Sequence, residues 1–221
     1  MDIERARFNM IEQQIRPWNV LDQDVLDALA LIPREEFVPI EYRDMAFADV
    51  EIPLAPGGLH DGRAMFAPRV EARILQAIAP RKHETALEIG TGSGYGTALL
   101  SLKTREVVTY ECDSRIFVLA AENLHRAGIV NVSLHDGDGS RIVGNERVDI
   151  VVLSGSVREV PRPLLDRLSI GGRLFAIVGD RPSMAARLYL RRSDDRFDTE
   201  DLFETAAPRL SGFPDKEPFR F

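Results

Sequence analysis

Leu87-Glu88-Ile89-Gly90-Thr91-Gly92-Ser93-Gly94-Tyr95 runs from an apolar stretch through three alternating glycines into a helical pattern. Its left flank, Ala86 to Ile89, predicts a strand, and its right flank, Tyr95 to Lys103, carries apolar residues at helical spacing. Glycines between a strand and a helix let the chain turn sharply and bring its backbone against a ligand where any Cβ would collide. In a doubly wound sheet this turn lies at the carboxyl ends of the strands, where ligands bind.

Outward from the turn the alternation continues. Glu106 to Tyr110 is β-branched and strand-like, and Arg115 to Arg126 is helical with Ile116, Leu119, Ala120 and Leu124 on one face, stopping at Gly128. Asn131 to Leu134, Val148 to Leu153 and Arg173 to Val178 predict three more strands, with a short helix from Pro163 to Leu168 ended by Gly171-Gly172. Strands and helices at this spacing mean βαβ units and a parallel sheet covered on both faces. Ala186 to Arg191 and Thr199 to Glu204 then read as a hairpin around Ser193-Asp194-Asp195-Arg196. Together these predict an α/β fold: a doubly wound, mostly parallel seven-stranded sheet of Rossmann-like type, the plan of class I S-adenosylmethionine-dependent methyltransferases.

The opening residues differ. Ile3 to Ile15 and Asp22 to Leu31 are amphipathic helices separated by Pro17-Trp18, with Asp22 as an N-cap. A third helix starts at Pro68 with Val70, Ile74, Leu75 and Ile78 inward. Residues 53–68, irregular and rich in Gly and Pro, read as a lid. We expect one compact unit: residues 1–80 as a helical cap with a substrate loop, and 81–221 as the cofactor-binding core.

Two cofactor classes compete at the turn. A dinucleotide fingerprint needs Gly-x-Gly-x-x-Gly, but the third glycine position is Tyr95 counting from Gly90 and Thr97 counting from Gly92. The pattern present is Glu-x-Gly-x-Gly-x-Gly, and Glu88 suits a cationic ligand end. Glu111, ending the second strand, stands where an acid accepts from both ribose hydroxyls. Asp138, in Asp136-Gly137-Asp138-Gly139, stands where the adenine amino group would donate. Any one of these acids could simply satisfy a local turn. Three at successive strand ends favour S-adenosyl-L-methionine over NAD, with Glu88, Gly90, Thr91, Gly92, Ser93, Gly94, Tyr95, Glu111, Cys112, Asp138 and Gly139 as its expected contacts.

Several stretches carry a family resemblance: Met10 to Ile15, Val25 to Leu29, Ile32-Pro33-Arg34-Glu35-Glu36-Phe37-Val38-Pro39, Glu88 to Tyr95, Gly137 to Gly139, Gly171 to Leu174 and Val178-Gly179. Over residues 8–180 the chain resembles the protein-L-isoaspartate O-methyltransferase family. The resemblance implies methyl transfer to the carboxylate of isoaspartyl residues in damaged proteins. It also exposes one departure. The family carries Gly-Gln-Thr-Ile-Ser-Gln-Pro before the third helix, its hydroxyls at the substrate carboxylate. Here the matching residues are Gly62-Arg63-Ala64-Met65-Phe66-Ala67-Pro68, with both hydroxyls lost. A different carboxylate, a small-molecule acceptor, or cofactor binding without turnover are therefore the competing readings.

Chemistry and composition narrow the field further. A carboxylate is ionised at neutral pH and needs neither base nor metal to attack a sulfonium methyl, only alignment and removal of water. No catalytic residue is assigned. His60, beside Asp61, is the one candidate base, and Arg63 and Arg69 could bind an acceptor carboxylate alongside Ala64 and Phe66. The four histidines lack metal-ligand spacing, Cys112 is the sole cysteine, and no Gly-x-Ser-x-Gly elbow occurs, so a metal site, a disulfide and a serine hydrolase are not expected. A net charge of −7 argues against a nucleic-acid partner. With no apolar run for a membrane or leader, the reading is a cytoplasmic protein, for which a monomer suffices.

Overall fold

In the computed structural model, which describes residues 2–54, 62–142 and 146–214, Asp2 caps the first helix by accepting from the Arg5 N–H. That helix, α1 (Ile3–Asn9), does not run on unchanged to Ile15 as the sequence pattern suggested. It widens into a π-helical segment, Met10–Ile15, followed by a 3-10 turn, Arg16–Trp18. The wider turns bring Met10, Ile11 and Ile15 onto the core together. Asn19, in the left-handed conformation (φ 61°), ends the turn. Asp22 accepts from the Asp24 N–H and caps α2 (Gln23–Leu31), which buries Val25, Leu26, Ala28 and Leu29.

A small antiparallel pair, β1 (Ile52–Pro53) and β2 (Ala64–Met65), precedes α3 (Pro68–Ile78). Proline at the first helical turn starts α3 because its missing N–H would be unsatisfied there anyway. The main sheet comprises β3 (Thr85–Ile89), β4 (Glu106–Glu111), β5 (Val132–Asp136), β6 (Val148–Val157), β7 (Leu168–Asp180), β8 (Ser183–Arg191) and β9 (Phe197–Glu204). Its helices are α4 (Tyr95–Lys103), α5 (Ser114–Arg126) and α6 (Arg162–Asp166). The strand order is β5-β4-β3-β6-β7-β8-β9, parallel through β7, with β8 and β9 antiparallel.

One expectation is corrected. Leu168 to Gly172 belongs to β7 rather than to a helix end, and α6 is only five residues long. Leu168 pairs with Val148, and the register slips before Arg173 pairs with Ile150. Gly172 fits this crowded crossing because a Cβ there would lie 2.8 Å from the Asp149 carbonyl oxygen.

Apolar residues fill both sides of the sheet. On one face Ala86, Val107, Ile150 and Val152 pack with α2, α3, α4, α5 and the π-helical segment. On the other Leu87, Ile89, Val151 and Leu153 pack with Leu164 of α6 and Phe213. The strand order reverses between β3 and β6, which opens a crevice at their carboxyl ends, the place where ligands bind in such sheets. No helix among the described residues is long and apolar enough to cross a membrane.

Candidate active site

The glycine turn after β3 holds its shape by backbone geometry. Gly90, Gly92 and Gly94 all have left-handed φ, at 92°, 58° and 85°. At Gly90 a Cβ would also press to 2.8 Å from Leu210 and 3.3 Å from the Ser154 carbonyl oxygen, so the turn has no room for a side chain there. Glu111, at the end of β4, accepts from the Gly92 N–H with one carboxylate oxygen and from the Asp113 N–H with the other, each at 3.0 Å. The carboxylate thus braces the turn and retains further lone pairs toward the crevice.

The crevice is a cavity of about 630 Å³, within the range of small-molecule sites. Gly90, Gly92, Glu111, Cys112, Asp138 and Gly139, expected at the cofactor, line it. So do Arg63 and Ala64, expected at the acceptor. Asp138 is already engaged: its carboxylate caps the following turn, accepting from the Ser140 N–H at 2.9 Å and the Ser140 hydroxyl at 2.6 Å. Cys112 stands on the wall as an exposed residue, and partial desolvation of its thiol together with the Glu111 charge pushes its pKa up, which keeps it protonated and a poor nucleophile.

The remaining expected residues lie elsewhere. Glu88 is fully inside, its carboxylate accepting from the hydroxyls of Thr97, Thr109 (2.9 Å) and Ser154 (2.8 Å), so it does not reach the cavity wall. Thr91 spends its hydroxyl on Thr109, at 2.7 Å, and the Ser93 carbonyl accepts from Asn123. Gly94 packs against Leu124, and the buried Tyr95 ring lies under the Arg34 guanidinium, 4.9 Å from its carbon. Phe66 is in the core, only 5% exposed. Arg69 pairs with Asp49 and lies 4.4 Å over the Trp18 ring; Arg63, though on the cavity lining, is paired with Asp113. His60, and with it residues 55–61 of the expected lid, falls outside the described residues.

Beneath the turn sits a second set of charges. Arg34 is fully buried and donates to the carbonyls of Ala46 (3.0 Å) and Phe66 (2.8 Å). Burial pulls its pKa down, opposed by the nearby Tyr95 and Glu71. The carboxylates of Glu71 and Glu88 converge on Gly96, and burial pushes both up to about 7.

Sequence reasoning missed the far wall, made by Ser154 to Ser156, Arg181, Met184 and residues 207–211. The last segment folds back over β6 like a strap: the Ser156 N–H donates to the Pro208 carbonyl, and the Leu210 N–H donates to the Ser156 carbonyl. Only Ser154-Gly155-Ser156, in a glycine-bearing run at a strand end, offered a local signal. Tyr110, also on the wall, stacks on His135 with ring centroids 4.9 Å apart.

Comparison with known proteins bears directly on this cavity. The family model described as protein-L-isoaspartate(D-aspartate) O-methyltransferase matches residues 5–207. A protein-L-isoaspartate O-methyltransferase of Methanoculleus marisnigri is 38% identical over 178 residues, 80% of this chain and 79% of that protein. One from Koribacter versatilis is 33% identical over 219 residues, 99% of this chain and 95% of its own length. Among solved structures, a Plasmodium falciparum protein of the same description, in complex with S-adenosyl-L-homocysteine, superposes with a TM-score of 0.80 over 96% of this chain and 99% of that one. Its 16% identity makes it a likeness of fold.

Proposed function

Because this chain belongs to the protein-L-isoaspartate(D-aspartate) O-methyltransferase family, we propose that it is an S-adenosylmethionine-dependent methyltransferase acting on the carboxylate of isoaspartyl residues in proteins. The observation that carries this reading is the meeting of a Gly90–Gly94 turn, free of Cβ atoms at its glycines, with the Glu111 carboxylate on one wall of a cavity of about 630 Å³. Gly90, Gly92, Glu111 and Gly139 would hold the cofactor, which supplies an electrophilic methyl group when bound. Glu111 keeps lone pairs for ribose hydroxyls while its present bonds fix the turn at the right height.

An acceptor carboxylate arrives already ionised, so the chain needs to orient and dry it rather than deprotonate it. Leu54, Ile116, Met184 and Ala207 provide apolar wall for that purpose. We place the activity in protein repair within the cytoplasm, with no nucleic acid involved, in keeping with the net charge of −7.

Ala64 favours a second reading, in which the acceptor is a carboxylate other than isoaspartate, because the wall offers no hydroxyl at that position. Incubating the protein with methyl-labelled cofactor and an isoaspartyl peptide, beside its normal aspartyl twin, separates the two. The expected result is base-labile label on the isoaspartyl peptide alone. Full cofactor binding with no label on either peptide would remove the isoaspartyl assignment.

A further inference from the structure

Three arginines line the cavity, Arg63, Arg181 and Arg209, and a fourth, Arg69, was expected at the acceptor; three of the four are engaged. Arg63 is paired with Asp113, Arg69 with Asp49 under its contact with Trp18, and Arg209 with the Gly179 carbonyl (3.0 Å) and Asp180 (2.8 Å). Arg181 differs. It follows β7 in the turn to β8, lines the cavity beside Met184, and makes no hydrogen bond or ion pair among the described residues. Glu51 feels its charge without pairing with it. Elsewhere the cavity lacks the two hydroxyls that the family resemblance leads one to expect at an acceptor carboxylate: Ala64 on its lining has none, and Phe66 is buried in the core.

We propose that Arg181 is the specificity residue that binds the acceptor carboxylate, in place of the missing hydroxyls; this rests on the carboxyl-methyltransferase reading above. Arg181 would grip one carboxylate oxygen and leave the other to attack. In the transfer a C–O bond forms to the methyl carbon and the methyl–sulfur bond breaks. The bonding electron pair stays with sulfur, and the anionic carboxylate becomes a neutral ester with no proton moved. The guanidinium therefore meets a full negative charge in the bound substrate, less in the transition state and none in the product. An interaction that fades along the reaction lowers KM without raising kcat, and it lets the ester leave.

The test measures methylation of an isoaspartyl peptide by the whole protein and its Arg181→Ala and Arg181→Lys variants. Calorimetric binding of the peptide and of its methyl ester, both with S-adenosylhomocysteine present, accompanies it. Arg181→Ala is expected to raise KM about 10-fold or more with kcat unchanged or slightly higher. It should weaken the acidic peptide in calorimetry by a similar factor and leave the ester and the cofactor unaffected. Arg181→Lys should recover part of the loss. Equal acidic-peptide affinity in wild type and Arg181→Ala overturns the inference, as does an equal loss for acid and ester. Wild type that neither binds nor methylates the peptide instead overturns the acceptor assignment on which the inference stands.

Discussion

Glu71 and Glu88 bring two carboxyl groups onto one glycine: a Cβ built on Gly96 would lie 3.2 Å from a Glu88 oxygen and 3.3 Å from a Glu71 oxygen. Around them stand Arg34 from the cap, Tyr95 and Thr97 from α4, Thr109 and Glu111 from β4, and Ser154 from β6. Burial is the main cause of the upward shift in both acids, to about 7, with Arg34 opposing it at Glu71 and the three hydroxyls opposing it at Glu88. In the unfolded chain each titrates near 4.5. Their protonated forms are thus favoured by folding, and the stability this confers is complete below about 4.5 and is lost as pH rises through about 7. Glu71→Gln keeps the shape and removes the ionisation. Its melting temperature relative to wild type should therefore improve between pH 5 and pH 8, by about 2–4 °C for each kcal/mol recovered. Thermal scans giving the same difference at both pH values would show that Glu71 is not protonated in the fold.

At the level of elements, the segment linking β2 to α3 shows why positions aligned with a family motif need not share its geometry. Alternation along a strand would put residues 64 and 66 on the same side. But β2 ends at Met65, and Arg34 takes the Phe66 carbonyl, so Ala64 lines the cavity while Phe66 turns into the core. The two substitutions that would restore the family's hydroxyls are therefore unequal. Ala64→Thr should fold normally, within about 0.5 kcal/mol of wild type, and raise turnover on an isoaspartyl peptide. Phe66→Ser should cost about 3–5 kcal/mol, as removal of a buried phenyl does, without a matching gain in activity. Urea melts and initial rates on the two variants check this, and a Phe66→Ser protein as stable as wild type would place that ring outside the core. The same logic explains β7. Apolar spacing carries Pro163 to Leu168 on as one helix, but the helix stops at Asp166, and the pairing of Leu168 with Val148, invisible in one segment alone, starts the strand instead.

For the molecule as a whole, what could be read from sequence was what is local. The turn after β3, the cap at Asp22, the start of α3 at Pro68 and the closing hairpin each announce themselves within a few residues. The cavity does not, because its wall draws on residues as far apart as Leu54, Ile89, Arg181 and Ser211. Ligand binding should stabilise the entire fold by linkage. At one hundred times its dissociation constant, S-adenosylhomocysteine should contribute about 2.7 kcal/mol, a rise of roughly 5–10 °C in melting temperature. NAD should give no rise, and Gly92→Val, which places a β-branched side chain at a left-handed φ and against Leu54, should lose the response while remaining folded. A thermal shift for that variant equal to wild type would move the cofactor away from the turn. The strap at residues 207–211 carries one more consequence, which concerns time. During synthesis the glycine turn and its Glu111 brace are complete once β4 has been made, yet the opposite wall is still missing. A ribosome must add about a hundred more residues, at roughly 5–20 per second, before Pro208 and Leu210 can close over Ser156. For those seconds the growing chain holds half a binding site, and it acquires affinity for its small ligand only once residues 207–211 have followed.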